Sequence, residues 1–136
     1  MIRRATSQDV ARIVELFKLH HAEKGFEFPF NPARVSLAIS NAITAKESLV
    51  LIGPSSVLMA SCFDSPFGAG RLAIEHAVRA GTNDEFKEIL SQYEQWARAQ
   101  GCDRLSLSCT DRHATFARLY RRHGFALAES TFSKAL

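Results

Sequence analysis

Apolar residues along the chain recur at two spacings, and the places where the spacing changes divide it into elements. Residues 2–5 (Ile-Arg-Arg-Ala) make a short opening strand. Val10, Ile13, Val14, Leu16 and Phe17 then follow the helical period. Thr6-Ser7-Gln8-Asp9 in front of them is a capping box, with Thr6 as the cap and Asp9 answering from the third position. This helix is predicted to end near His20. Residues 22–30 are a loop in which Phe26, Phe28 and Phe30 either plug the edge of the core or wall a substrate pocket. Asn31-Pro32 is a second helix start, a cap followed by proline in the first turn. Val35, Ala38, Ile39, Ala42 and Ile43 mark its buried face, and the helix is predicted to end near Ala45.

The next stretch reads as strands. Residues 48–52 and 57–63 are apolar runs joined by Gly53-Pro54-Ser55-Ser56, a turn, so they are expected to form an antiparallel hairpin. A loop over 65–70 leads to a third long strand, 71–79. Asp84 to Gln100 returns to helical spacing, with Phe86, Ile89, Leu90, Tyr93, Trp96 and Ala97 on one face and Gly101 as a stop. Residues 104–109 alternate as a strand, Asp111 to about Arg122 is a last helix ended by Gly124, and 125–134 is a closing strand. The predicted order is β-α-α-β-β-β-α-β-α-β. Hairpins followed by βαβ call for a mixed sheet with helices on both faces, an α/β fold. No repeat or linker interrupts it, so residues 1–136 are expected to form one domain.

Composition narrows the class. Hydrophobic residues make up 46% of the 136 and charged residues 23%, an ordinary globular balance. No apolar run reaches the ~20 residues of a membrane span, and residues 1–20 lack the pattern of a signal peptide, so a cytoplasmic protein with no membrane partner is expected. Cys62, Cys102 and Cys109 have no metal-type spacing and are expected as free thiols. The net charge of +3 suits an anionic small molecule or an acidic partner and is too small to indicate nucleic acid. A serine-hydrolase elbow is absent, and the histidines form no triad.

Three segments carry a resemblance. Residues 1–17, then Trp96-Ala97-Arg98-Ala99-Gln100-Gly101-Cys102, then Leu119-Tyr120-Arg121-Arg122-His123-Gly124-Phe125 occur in the order and spacing of the GNAT superfamily of N-acetyltransferases. The chain resembles that family over its whole length. The ending Phe132-Ser133-Lys134-Ala135-Leu136 is similar to that of small acetyltransferase-like proteins encoded by bacteriophages, which would allow a place in the virion. The resemblance implies the GNAT, or acyl-CoA N-acyltransferase, fold. It also implies acetyl-CoA as cofactor, held where the strands 71–79 and 104–109 splay apart. The backbone of Ala77 and Val78 would meet the pantetheine arm and supply an oxyanion donor. The segment Arg79, Gly81, Thr82 and Asn83 would meet the pyrophosphate at a helix N-terminus, where free amides and the helix dipole favour an anion. His113 falls where many relatives carry an asparagine and would contact cofactor, cap its helix or stand exposed.

The chain departs from the family at this loop. The family pattern is Arg/Gln-x-x-Gly-x-Gly/Ala, and Arg79-Ala80-Gly81-Thr82-Asn83-Asp84-Glu85 keeps at best one glycine. Asp84 and Glu85 suit the first turn of a helix and repel a pyrophosphate. Either acetyl-CoA binds weakly, through backbone and nearby cations such as Arg118, Arg121 and Arg122, or catalysis has been lost.

If the chemistry survives, acetyl transfer to an amine needs a base, an oxyanion donor and an acid. Tyr120 matches the family's acid in the Leu-Tyr motif, or else packs as an amphipathic tyrosine. Glu75 lies on the strand that usually carries the base, or else is a charge on the solvent face. His76 competes for the base role from the opposite face of the strand. Ser106 and Ser108 line the pantetheine slot or pack. Two functions remain open: an N-acetyltransferase acting on a small-molecule or protein amine, and an inactive protein of the same fold that binds a protein partner or serves in assembly. A homodimer through the last strands is a further expectation.

Overall fold

A computed structural model of the chain describes residues 1–26, 28–109 and 114–136. They fall into two units, Met1–Ser106 and Leu107–Leu136.

The first unit opens with β1 (Arg3–Arg4) and a single 3-10 turn, Ser7–Asp9, that leads into α1 (Val10–Lys24). The predicted capping box forms: the Asp9 carboxylate accepts the Thr6 amide at 2.7 Å. Arg3 holds the same carboxylate with both guanidinium nitrogens at 2.8 Å, and that pairing drives Asp9 far below the usual carboxylate range. Helix α1 runs a turn beyond the predicted His20. Ala22, Glu23 and Lys24 carry no apolar signal but nothing that breaks a helix. The stop is Gly25, whose φ of 63° and ψ of 45° put it in the left-handed region. Helix α2 (Pro32–Thr44) starts as predicted, with Asn31 Oδ1 accepting the Arg34 amide at 3.1 Å.

The strands β2 (Ser48–Ile52), β3 (Val57–Asp64) and β4 (Arg71–Arg79) are the expected apolar runs. Helix α3 (Asn83–Ala99) then crosses to β5 (Arg104–Ser106). The sheet order is β1-β2-β3-β4-β5; the first three pairings are antiparallel and β4–β5 is parallel. The strand expected over 104–109 pairs for three residues only, Arg104, Leu105 and Ser106.

Strand alternation distributes the core over both faces. Ile13, Leu16, Phe17 and Ile39 from the first two helices cluster with Val50, Ile52 and Val57, and Met59, Ala77 and Phe30 pack against them. The intervening positions Leu49, Leu51, Leu58, Ala60 and Ala73 are buried on the opposite face. That face takes the apolar stripe of α3, in which Phe86, Ile89, Leu90, Tyr93, Trp96 and Ala97 are all buried. Of the three loop phenylalanines, Phe30 joins the core while Phe26 and Phe28 are exposed.

The second unit holds α4 (Ala114–Arg122), closed by Gly124 at a φ of 85°. The start of the predicted helix, 111–113, and with it His113, lies outside the described residues. Residues 125–134, expected as a strand, form none here, and Leu127 and Phe132 are exposed. The pattern explains the difference. Phe125 and Leu127 share one parity and Phe132 has the other, so no single apolar face runs through the segment to fix a register.

Candidate functional site

The register between β3 and β4 slips once. Met59 faces Ala77 and Ala60 faces Glu75, so His76 is an extra residue in β4. Such a bulge re-aims side chains and is common beside active sites. Two titratable neighbours, Glu75 and His76, stand at this slip. Glu75 pairs with Ala60 on the α3 face and is buried, so it is not the solvent-face charge that its sequence position also allowed. Tyr93 of α3 feels it: burial pushes the Tyr93 phenol above its ordinary range, and the negative charge of Glu75 adds to the effect. The Tyr93 hydroxyl donates to the Ser106 carbonyl at 3.1 Å and so ties α3 to the end of β5.

His76 is exposed, and its Nε2 lies 2.7 Å from Ser61 Oγ, a hydroxyl on the face that Val57 and Met59 share. Ser61, Phe63 and Ile74 stand on this same face beyond the cover of α1 and α2, and Phe63 and Ile74 are exposed. The β4–β5 ladder covers only Leu72, Ala73 and Ile74. From Glu75 to Arg79, β4 continues past the end of that ladder, and Ala77 and Val78 lie in this stretch.

The head of α3 is built differently from the expected phosphate loop. Thr82 is the N-cap, and its Oγ1 accepts the Glu85 amide at 3.1 Å. The Gly81 amide donates to Ser56 Oγ at 2.9 Å. The Glu85 carboxylate turns towards the β2–β3 turn, where it accepts the Ser55 amide at 3.1 Å, the Ser55 hydroxyl, and the Thr82 hydroxyl at 3.3 Å. Glu85 is only 8% exposed. Burial alone would raise its pKa, but hydrogen bonds from Ser55, Ser56 and Thr82 outweigh burial and hold it below the ordinary value of 4.5.

Two glycines let the turn close over this carboxylate. A Cβ on Gly81 would sit 2.0 Å from Ser55 Oγ and 2.5 Å from Ser55 Cβ; one on Gly53 would sit 2.8 Å from Glu85 Oε1. Arg79 is also committed. It grips Glu23 of α1 through Nε at 3.2 Å and Nη2 at 3.0 Å, and its Nη1 donates to the Ser55 carbonyl. Asn83 and Asp84 are exposed on the first turn. Sequence reasoning identified Asp84 and Glu85 as anions but missed the partnership with Ser55 and Ser56, thirty residues away. One signal was available: Thr82-x-x-Glu85 has capping-box spacing.

Tyr120, in the second unit, is buried between Phe116 and Phe125, with ring centroids 6.3 and 6.1 Å away, and its hydroxyl donates to the Ser108 carbonyl at 2.9 Å. Arg118, Arg121 and Arg122 lie on the same helix, α4, with Arg121 and Arg122 in its last turn. Cys62, Cys102 and Cys109 are free thiols. Among the described residues no cluster of His, Cys, Asp and Glu could hold a metal, and no helix is long and apolar enough to cross a membrane.

No family model matches this sequence, and no curated protein matches it. Solved structures do. A transcriptional regulator from Bacillus halodurans C-125 superposes with a TM-score of 0.80 at 16% identity, over 100% of this chain and 99% of that one. A predicted acetyltransferase from Clostridium acetobutylicum, crystallised with acetyl-CoA, superposes at 0.79 and 13% identity, over 99% and 95%. An aminoglycoside acetyltransferase from an uncultured soil metagenomic sample superposes at 0.72 and 15% identity, over 100% and 95%. At these identities the likeness is one of fold. With its mixed five-stranded sheet, its antiparallel run closed by one parallel pair, and its helices on both faces, the chain has the fold of the GNAT acetyltransferases.

Proposed function

We propose that this chain, acting as one domain over 1–136, transfers an acyl group from a pantetheine thioester such as acetyl-CoA to an amine by direct attack. The observation that carries this is β4. Its bulge at His76 coincides with the end of the β5 ladder at Ile74, so an exposed imidazole stands beside a strand that outruns its parallel neighbour. An extended, amide-bearing arm is the kind of ligand that pairs with such a stretch, because alternate backbone groups of a strand point to each edge.

A bound donor supplies a thioester carbonyl activated towards an amine. The chain's own residues do the rest. Backbone N–H groups near Ala77 and Val78 are the candidate donors to a carbonyl oxygen laid along β4. An alkylamine with a pKa of ~10.4 is mostly protonated at neutral pH and cannot attack until it loses a proton. His76 Nε2 is the candidate to take it; its exposed side chain, which meets a serine hydroxyl, supports this role. Glu75, buried on the other face against Tyr93, is the weaker candidate for that step. Tyr120 is the candidate proton donor to the departing thiolate; its place in the Leu-Tyr motif supports this role.

The test is release of free thiol from acetyl-CoA and from acetyl-pantetheine in the presence of a panel of primary amines. Amine-dependent release is expected. His76→Ala is expected to lower kcat by roughly 10²- to 10⁴-fold, the usual contribution of a positioned general base. Tyr120→Phe should lower it as well. Absence of release from both donors with every amine would end the proposal.

A further inference from the structure

The head of α3 already contains an anion, and it belongs to the protein. An incoming diphosphate needs free amide donors and positive potential. At this helix the Glu85 amide is taken by Thr82 and the Gly81 amide by Ser56. The hydroxyls of Ser55 and Thr82 point at the Glu85 carboxylate, and the Arg79 guanidinium is bound to Glu23 and the Ser55 carbonyl. The space beside Gly81, which a phosphate-cradling glycine would leave open, is filled by Ser55 at a distance no Cβ could tolerate. Asp84 then adds a second, exposed carboxylate to the same turn. The residues present do not fit the diphosphate of a coenzyme A.

We infer that this protein recognises its acyl donor by the pantetheine arm alone, with Glu85 and Asp84 excluding a diphosphate from the head of α3, so that the nucleotide half of coenzyme A contributes nothing to binding. The inference rests on the acyltransferase proposal above and specifies its substrate: a pantetheine thioester, whatever follows the arm. The carboxylates are the specificity-determining groups. Glu85 occupies the Ser55 amide and the Ser55 and Thr82 hydroxyls from inside, and Asp84 repels from outside.

The experiment compares acetyl-CoA with acetyl-pantetheine on the full chain, reading kcat/KM by thiol release at low ionic strength, where charge effects are largest. The two donors are expected to agree within ~3-fold, a small difference on the free-energy scale of binding. Asp84→Asn leaves the Glu85 cradle intact. It should raise kcat/KM for acetyl-CoA by ~3-fold or more, the scale of one screened charge, with acetyl-pantetheine unchanged. Glu85→Gln should shift the ratio in the same direction. If that variant does not fold, Asp84→Asn still decides the matter. A preference for acetyl-CoA of ~30-fold or more in the unmodified protein would overturn the inference and leave acyl transfer standing. Equal effects of Asp84→Asn on both donors would overturn it too. Activity with neither donor would remove the acyltransferase proposal, and this inference with it.

Discussion

Replacing Gly81 by alanine tests the packing at the head of α3 most sharply. Its φ is not in the left-handed region, so alanine meets no backbone penalty there; the cost is steric. The new Cβ would lie 2.0 Å from Ser55 Oγ, 2.5 Å from Ser55 Cβ and 3.0 Å from the Ser55 carbonyl oxygen. The hydroxyl could rotate away, but it would then leave the Glu85 carboxylate that it now serves. The Cβ and the carbonyl belong to a turn fixed by the Gly53 amide bonding to Ser56 O at 2.9 Å, so they can retreat only by moving the hairpin. Overpacking of this kind costs about 1–3 kcal/mol. With a urea m value of about 2 kcal/mol/M, the unfolding midpoint should fall by roughly 0.5–1.5 M with m unchanged. Ser55→Gly removes two of the three clashing atoms, so in the double variant the alanine should cost less than it does alone. That gives a coupling of about 1 kcal/mol or more in a double-mutant cycle. If Gly81→Ala leaves the midpoint where it was but weakens donor binding, Gly81 borders open space as a phosphate loop would, and the closed cradle is wrong.

Glu85 has a folded pKa below 4.5, so its hydrogen bonds stabilise the protein above that pH and are lost as pH falls through the lower folded value. The stability gap between the unmodified chain and Glu85→Gln should therefore be present at pH 7 and shrink below pH ~4.5; denaturant titrations at the two pH values would show a constant gap if the cradle does not hold a charged carboxylate. Tyr93→Phe removes the bond to the carbonyl of Ser106, a residue at the exposed end of β5, and should cost about 0.5–1.5 kcal/mol, the net worth of one hydrogen bond. Faster amide exchange at β5 than at β2 in that variant would show that the loss falls on the β5 end of the sheet, and a neutral result in denaturant would contradict the contact. Gly25→Ala should lower stability by about 1 kcal/mol, since alanine at a φ of 63° meets the left-handed penalty, whereas an unchanged melting temperature would place the end of α1 elsewhere.

Much of the frame was legible because its signals are local. Asn31-Pro32 fixes the start of α2, and Thr6 with Asp9 fixes the start of α1. The apolar runs of β2 to β4 are bounded by glycine- and proline-bearing turns, so their limits fall within a residue of those read from the chain. The candidate site was less legible because it is made by pairing. In Ile74-Glu75-His76-Ala77 simple alternation already separates Glu75 from His76. What alternation cannot show is the extra residue opposite Met59 and Ala60, which is a property of two strands together. Likewise Glu85 reads as a first-turn carboxylate, and only the hairpin folding across Gly81 reveals that Ser55 and Ser56 occupy its oxygens. Residues 125–134 carry three apolar residues of mixed parity, a pattern too weak to specify a register.

Acyl transfer to an amine at β4 is tested by following the acyl group itself. The full chain would be incubated with acetyl-pantetheine carrying an isotopically labelled acetyl group and a mixed panel of primary amines, and the amines analysed by mass spectrometry. Labelled amide is expected on at least one amine, formed in proportion to enzyme and reduced at least ~100-fold by His76→Ala. Labelled amide formed equally well by His76→Ala would contradict the role of His76, and its absence from every amine, with acetyl-CoA as well, would rule out acyl transfer by this chain.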